Sequence, residues 1–260
     1  MKDLLTYIES HHWDYQNKLV PKTVETIHND GLIAIKNTSI KNVFANKVVL
    51  FNTESEEDYK QKWARVEEFF GNRPFSLWVR EPLPLYIQQG LLRNNCLLED
   101  FYEGVFINLE NVPFSEDNEC SVAIVENDTQ IQDLVNVSSI IWGYSEQEKP
   151  NLFRQRKDFV NVFNGDGGFV VAYSEEGKPV GYGNYRYSTD GHALYLNGSG
   201  VLPTYRNKGI YKSLVRFRLH MAKEKGCKLA TCQARGNYSA PILKKLSFQQ
   251  ASQYQYWVTK

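Results

Sequence analysis

One stretch constrains this chain more than any other: Gly200-Val201-Leu202-Pro203-Thr204-Tyr205-Arg206-Asn207-Lys208-Gly209-Ile210-Tyr211. A β-rich run ends there, and Pro203 stops sheet pairing because it has no N–H to give. A basic turn with one glycine then opens a long helix. Ile210, Leu214, Phe217 and Met221 step by four, three and four residues, one face of a helical period. A strand feeding such a helix requires a mixed α+β fold. It also gathers several free backbone N–H groups and the positive end of a helix dipole at one point, which suits a pyrophosphate. Gly209 lets the backbone approach phosphate oxygens with no Cβ between them, and Arg206 and Lys208 add charge.

The other segments alternate in a similar way. Residues 1–30 read as helical, and 32–35 and 47–51 as short strands. Thr53 to Ser55 resembles a helix N-cap, and Glu56, Glu57 and Asp58 behind it suit the positive end of a dipole. That helix carries Tyr59, Trp63, Val66, Phe69 and Phe70 as its apolar stripe and stops at Gly71-Asn72. A strand at 75–79, a short helix at 84–92 and a strand at 101–109 follow. Residues 111–119 are polar, contain proline and lack periodicity, which separates a unit at 1–115 from one at 120–260. The second unit reads as a strand (121–125), two helices (129–142 and 146–163) and three strands (169–173, 180–187 and 193–201). Glu175-Glu176-Gly177-Lys178 and Ser188-Thr189-Asp190-Gly191 are the hairpin turns between those strands. The long helix (208–225) closes at Gly226, before a strand (229–233), a short helix (239–246) and a final strand (250–258). The order strand, helix, strand, short helix, strand therefore occurs twice, at 47–109 and at 193–258.

Arg206-x-x-Gly209-x-Tyr211, with Val201-x-Pro203 before it and the helix after it, resembles the pyrophosphate loop of the GNAT acyltransferase superfamily. That loop reads Arg or Gln, two residues, Gly, one residue, Gly or Ala. The resemblance covers 120–260 and implies the GNAT fold of the α+β class, a central mixed, mostly antiparallel sheet with flanking helices. It implies acetyl-CoA as co-substrate, held by Val201, Leu202, Arg206, Asn207, Lys208, Gly209, Ile210 and Tyr211, with the Val201 N–H polarising the thioester carbonyl. The glycines of Asn197-Gly198-Ser199-Gly200 signal a bulge or a close backbone approach. They fit the strand that, in this family, splays from its neighbour and pairs with the pantetheine arm. Asn237 to Phe248 resembles the family's closing helix, with Asn237 at the pantetheine-facing position.

Three positions depart from the family pattern. Tyr211 occupies a small-residue slot, Ser247 replaces Gly, and Leu243 stands where the family carries the tyrosine that protonates the leaving thiolate. Tyr238, five residues before Leu243, is the alternative donor. The strand 193–201 has no carboxylate to deprotonate an amine. By alternation Tyr195, Asn197 and Ser199 share one of its faces and are candidates to hold a water; Asn197 joins Tyr238 as a catalytic candidate. His192 is more simply read as a solvated turn residue. The front half resembles, more loosely, the second half of a GNAT fold, as in bacterial tandem proteins that pair a degenerate with an intact module. The carboxylates of Glu56, Glu57 and Asp58 would repel a pyrophosphate there.

Composition narrows the partners. With 30 basic and 30 acidic residues the chain lacks the basic excess of a nucleic-acid binder. Its four cysteines show no CxxC spacing and no histidine at zinc-ligand distance in sequence, so no metal is expected and the thiols read as reduced. No apolar run is long enough to span a membrane, and the acidic start lacks the features of a signal peptide, so a cytoplasmic protein without a membrane partner is expected. The functional expectation is transfer of acetyl from acetyl-CoA to a primary amine of a small molecule, with 120–260 alone retaining CoA binding. A non-catalytic acyl-CoA binder and a tRNA-dependent aminoacyl transferase are the other readings. The acceptor and homodimer formation stay open.

Overall fold

The computed structural model describes residues 2–14, 20, 22–29, 31–112, 120–163 and 165–260. The strands are β1 (Val24–Asn29), β2 (Leu32–Asn37), β3 (Lys47–Phe51), β4 (Ser76–Arg80), β5 (Cys96–Asn108), β6 (Ser121–Ile124), β7 (Gly167–Tyr173), β8 (Pro179–Tyr187), β9 (Ala193–Val201), β10 (Leu229–Arg235) and β11 (Gln249–Thr259). The helices are α1 (Leu4–Glu9), α2 (Glu56–Phe70), α3 (Leu85–Arg93), α4 (Asp128–Trp142), α5 (Lys149–Phe163), α6 (Ile210–Glu224) and α7 (Ser239–Lys245). The expected doubling is present, β3-α2-β4-α3-β5 against β9-α6-β10-α7-β11. In both copies the first two strands are parallel, β3 with β4 and β9 with β10.

The eleven strands form one sheet in the order β1-β2-β3-β4-β11-β5-β10-β9-β8-β7-β6. Alternation along the strands sorts the helices between its faces. Leu77 and Trp257 pack with α2 and α3, and Val105, Leu194 and Ala230 pack with α6 and α7, so those four helices share the rear face. Phe169, Val171 and Tyr182 bury α4 and α5 on the front face. The front face also carries α1 and the 3-10 turn Ser10–His12, a strap laid across the middle of the sheet.

The two halves exchange their last strands. β11, the end of the chain, lies between β4 and β5, and β5 lies between β11 and β10. Each donated strand completes the other half's core. Val105, Ile107 and Leu109 of β5 are buried with Leu214, Leu219 and Leu243, while Trp257 of β11 is buried with Trp63, Phe75 and Leu77. Residues 113–119, most of the expected boundary, lie outside the described residues.

Sequence and structure differ at three places here. Helix near the start ends at His12, and Val24–Asn29 is a strand, because the apolar positions that favoured a helix are used on the strap alone. β5 begins at Cys96, well before the expected 101, because β11 pairs with its early part. Ser199 does not share a face with Tyr195 and Asn197. Opposite β8, Gly183 faces Ser199 and Tyr185 faces Leu196, so Asn197 and Gly198 stand against Asn184 alone. This bulge turns every later side chain over, placing Ser199 beside Gly183 on the α6 side.

Candidate active site

β9 and β10 pair only over Ala193–Tyr195 and Leu229–Thr231. Beyond Tyr195, β9 stays with β8 while β10 continues along β5 from Leu229 to Arg235, and a gap opens between the two parallel strands. Leu202 donates its N–H to the Val180 carbonyl at 2.9 Å. By antiparallel alternation the amides of Val201 and Ser199 therefore point away from β8, into the gap. The bulge marks the inner end of this free edge. Gly200 lies on its front side against Ile141 of α4, where a Cβ would come within 2.9 Å of that side chain.

At its outer end the free edge meets the pyrophosphate-type turn. After the 3-10 turn Pro203–Tyr205, Asn207 adopts φ 62 and Gly209 φ 78, and α6 starts at Ile210 with no side chain capping it. The first amides of α6 are thus left for a ligand. Two left-handed residues two positions apart make a concave turn that glycine tolerates without cost at 209. Arg206, Asn207 and Lys208 are exposed, and Arg206 Nε lies 3.3 Å from the Val201 carbonyl. The matching helix of the front half is closed to anions. Ser55 accepts the Asp58 N–H, and the Asp58 carboxylate accepts the Glu54 N–H at 3.0 Å. One of its first amides is taken by the cap, and negative charge sits on its positive pole.

Tyr211 points inward, packed against the core beside Cys232, Arg218 and Ser239; burial pushes its hydroxyl pKa up. Leu243 is fully buried in the core, so no polar group reaches the gap from position 243. Ser247 fills the family's glycine position at φ 69, a strained conformation for serine. Asn237 is exposed at the end of β10. Tyr238 is 65% exposed, its ring against the Arg235 guanidinium at 4.8 Å. His192 lies at the far end of β9, stacked on Tyr7 at 5.1 Å and away from the bulge.

Several residues at this site carried no motif. Arg218 is 1% exposed and donates to the Leu214 carbonyl (2.9 Å) and the Asn184 carbonyl (2.8 Å), the latter set free by the bulge. His11 lies over Tyr195 at 4.7 Å, with Nδ1 3.2 Å from Asn197 Oδ1 and Nε2 2.7 Å from Thr231 Oγ1. Burial, aided by the Arg186 guanidinium, lowers His11 to about 3, so the ring is neutral and both its nitrogens are engaged. Adjacent histidines in an otherwise amphipathic start were the one trace of this in the sequence. Among the described residues no group of His, Cys, Asp and Glu could hold a metal ion, and no helix is long and apolar enough to cross a membrane.

A free strand edge leading to an uncapped helix start offers a line of backbone donors to an extended ligand with an anionic end. Residues 131–248 match the model of the Acetyltransferase (GNAT) family, and the chain carries a GNAT domain there. Across nearly its whole length the chain is similar to a GCN5-related N-acetyltransferase from Kribbella flavida, with TM-score 0.66, 16% identity, and 92% of this chain and 90% of that one covered. It is likewise similar to a tandem GNAT protein from the clavulanic acid biosynthesis pathway, with TM-score 0.64, 13% identity, and 93% and 85% covered. A conserved protein of unknown function from Staphylococcus epidermidis gives TM-score 0.69 at 13% identity, over 94% and 97% of the two chains. At these identities the likeness establishes a shared fold, that of GNAT proteins including the tandem type. No curated protein matches the chain by sequence.

Proposed function

We propose that the protein is an N-acyltransferase that moves acetyl from acetyl-CoA to a primary amine of a small molecule in the cytoplasm. The observation that carries this reading is the continuity of the free β9 edge with the uncapped start of α6. Acetyl-CoA supplies an acetyl group activated as a thioester. The amides of the turn Arg206 to Tyr211 hold its pyrophosphate, assisted by the Arg206 and Lys208 side chains, while Leu202 and Asn237 flank the pantetheine arm. The Val201 N–H, directed into the gap, polarises the carbonyl. Asn197 orders the water that takes the amine proton, and Tyr238 returns a proton to sulfur. The segment 120–260 supplies the CoA site, and 1–115, the degenerate module, contributes acceptor selectivity.

The test is an amine panel with acetyl-CoA on the full chain, scored by free thiol. Amine-dependent release is expected. Acetyl-CoA binding by calorimetry without release on any amine would replace this reading with that of a non-catalytic binder.

A further inference from the structure

On the front face, beside the gap, the strap stops short of a recess lined from both halves of the chain. Lys47 opens β3, Trp78 lies in β4, Tyr102 in β5, Gln233 in β10, and His12 ends the strap. Lys47 Nζ is 3.2 Å from His12 Nδ1, and His12 Nε2 is 2.7 Å from Gln233 Oε1. An ammonium only donates, so Nδ1 accepts from Lys47 and Nε2–H donates to Gln233. The imidazole packs on Trp78 at 5.1 Å, and Trp78 on Tyr102 at 4.4 Å. All five residues are partly exposed, so the cluster lies at the surface of the sheet and not inside a core.

Charge sets this recess apart. Three nearby cations each face a carboxylate: Arg80 meets Glu9 at 2.9 Å, Arg235 meets Asp100 at 2.6 Å, and Lys2 meets Asp14 at 2.7 Å. Lys47 has none among the described residues, and Arg186 behind it donates to the His11 carbonyl. Burial and the Arg186 charge bring Lys47 down to about 8, as expected of an ammonium without a counter-ion. One further donor is left over: Gln233 Nε2 is buried without an acceptor. A positive charge and an unused amide donor in one cluster ask for an anion with several acceptor lone pairs.

We propose that this recess binds the carboxylate of the acceptor, so that the amine acetylated is an amino acid or a related amino-carboxylate. The inference rests on the acyltransferase reading above and names its substrate class. Gln233 lies two residues past Thr231, the last β10 residue paired with β9, and so stands at the mouth of the gap. Lys47 is one imidazole ring further. An anion held by Lys47 and Gln233 puts an amine a few bonds away at the free edge of β9. A singly charged, planar carboxylate matches one ammonium and one amide donor better than a tetrahedral, doubly charged phosphate.

The experiment uses the full chain and matched probes: L-amino acids and the ω-amino acids from β-alanine to 6-aminohexanoate, against their carboxamides and decarboxylated amines, with O-phosphoethanolamine as the phosphate probe. Acids are expected to exceed their amides in kcat/KM by about ten- to a hundredfold, the span of one charge-assisted contact. Lys47→Met should erase that preference while acetyl-CoA affinity stays put, and Lys47→Arg should keep part of it. Thermal shift gives a readout free of turnover: the acids should raise the Tm of the wild type and not of Lys47→Met, with Lys47→Gln as the substitute if that variant misfolds. Amides equal to acids, an undiminished preference in Lys47→Met, or phosphoethanolamine favoured over the acids would overturn the proposal. Loss of the acyltransferase reading looks different: no thiol release with any amine, acid or not, or no acetyl-CoA binding in calorimetry, whatever the acids do to Tm.

Discussion

Gly209 and Leu243 are the residues where small changes have the clearest consequences. Gly209 holds φ 78 at the uncapped start of α6, so Gly209→Asp adds both backbone strain and a carboxylate where the proposed pyrophosphate would sit. Acetyl-CoA affinity should fall beyond detection in calorimetry while the Tm drops only slightly; unchanged affinity would remove the turn from the site. Leu243 sits at the position of the family's tyrosine, yet its side chain is wholly enclosed by the α6–α7 core. Restoring tyrosine there overpacks that core at a cost of about 1–3 kcal/mol. Leu243→Tyr should therefore lower the Tm by several degrees and leave kcat no higher, checked by thermal denaturation and steady-state kinetics.

Among the elements, the strap stands out because its docking depends on two uncharged histidines. Burial first, then the Arg186 charge, lowers His11 to about 3, and burial with Lys47 lowers His12 well below its ordinary value. Unfolded histidine takes up a proton near pH 6.5, and the folded strap refuses it until far lower pH. Between those values the unfolded chain binds more protons, so stability rises with pH and is lost as pH falls from about 6.5 toward 3. For His11, 4% exposed, the slope is at most about 1.4 kcal/mol per pH unit. Melting curves from pH 7.5 to 4.5 should show the Tm falling below pH 6.5, and less steeply in His11→Asn. A flat Tm in the wild type would mean the strap does not hold its histidines neutral.

Over the whole molecule, strand exchange governs behaviour. A chain of residues 120–260 lacks β5, the strand that joins β10 to β11, and with it Val105, Ile107 and Leu109 of the core. Unpaired strands with an open core favour aggregation. The expected outcome is that 120–260 alone is insoluble or molten, without the cooperative near-ultraviolet transition of the full chain, and that co-expression with 1–112 recovers a soluble complex. A monodisperse, cooperatively folded 120–260 that binds acetyl-CoA would show that β11 can close back onto β10.

Local chemistry determined the turn at Arg206 to Tyr211, the two repeated strand–helix orders and the acidic cap of the front-half helix. Each is a matter of neighbours in sequence, namely a proline, a glycine, a cap and a period of apolar residues. The bulge was legible as two glycines, but its effect on Ser199 was not, because one inserted residue reverses the alternation after it. Which half owns β5 and β11 was decided only by tertiary structure: alternation gives a strand its faces but not its neighbours. The same holds for the His12–Lys47–Gln233 recess, whose members lie 35 and 186 residues apart and meet because the exchanged strands bring both halves onto one sheet.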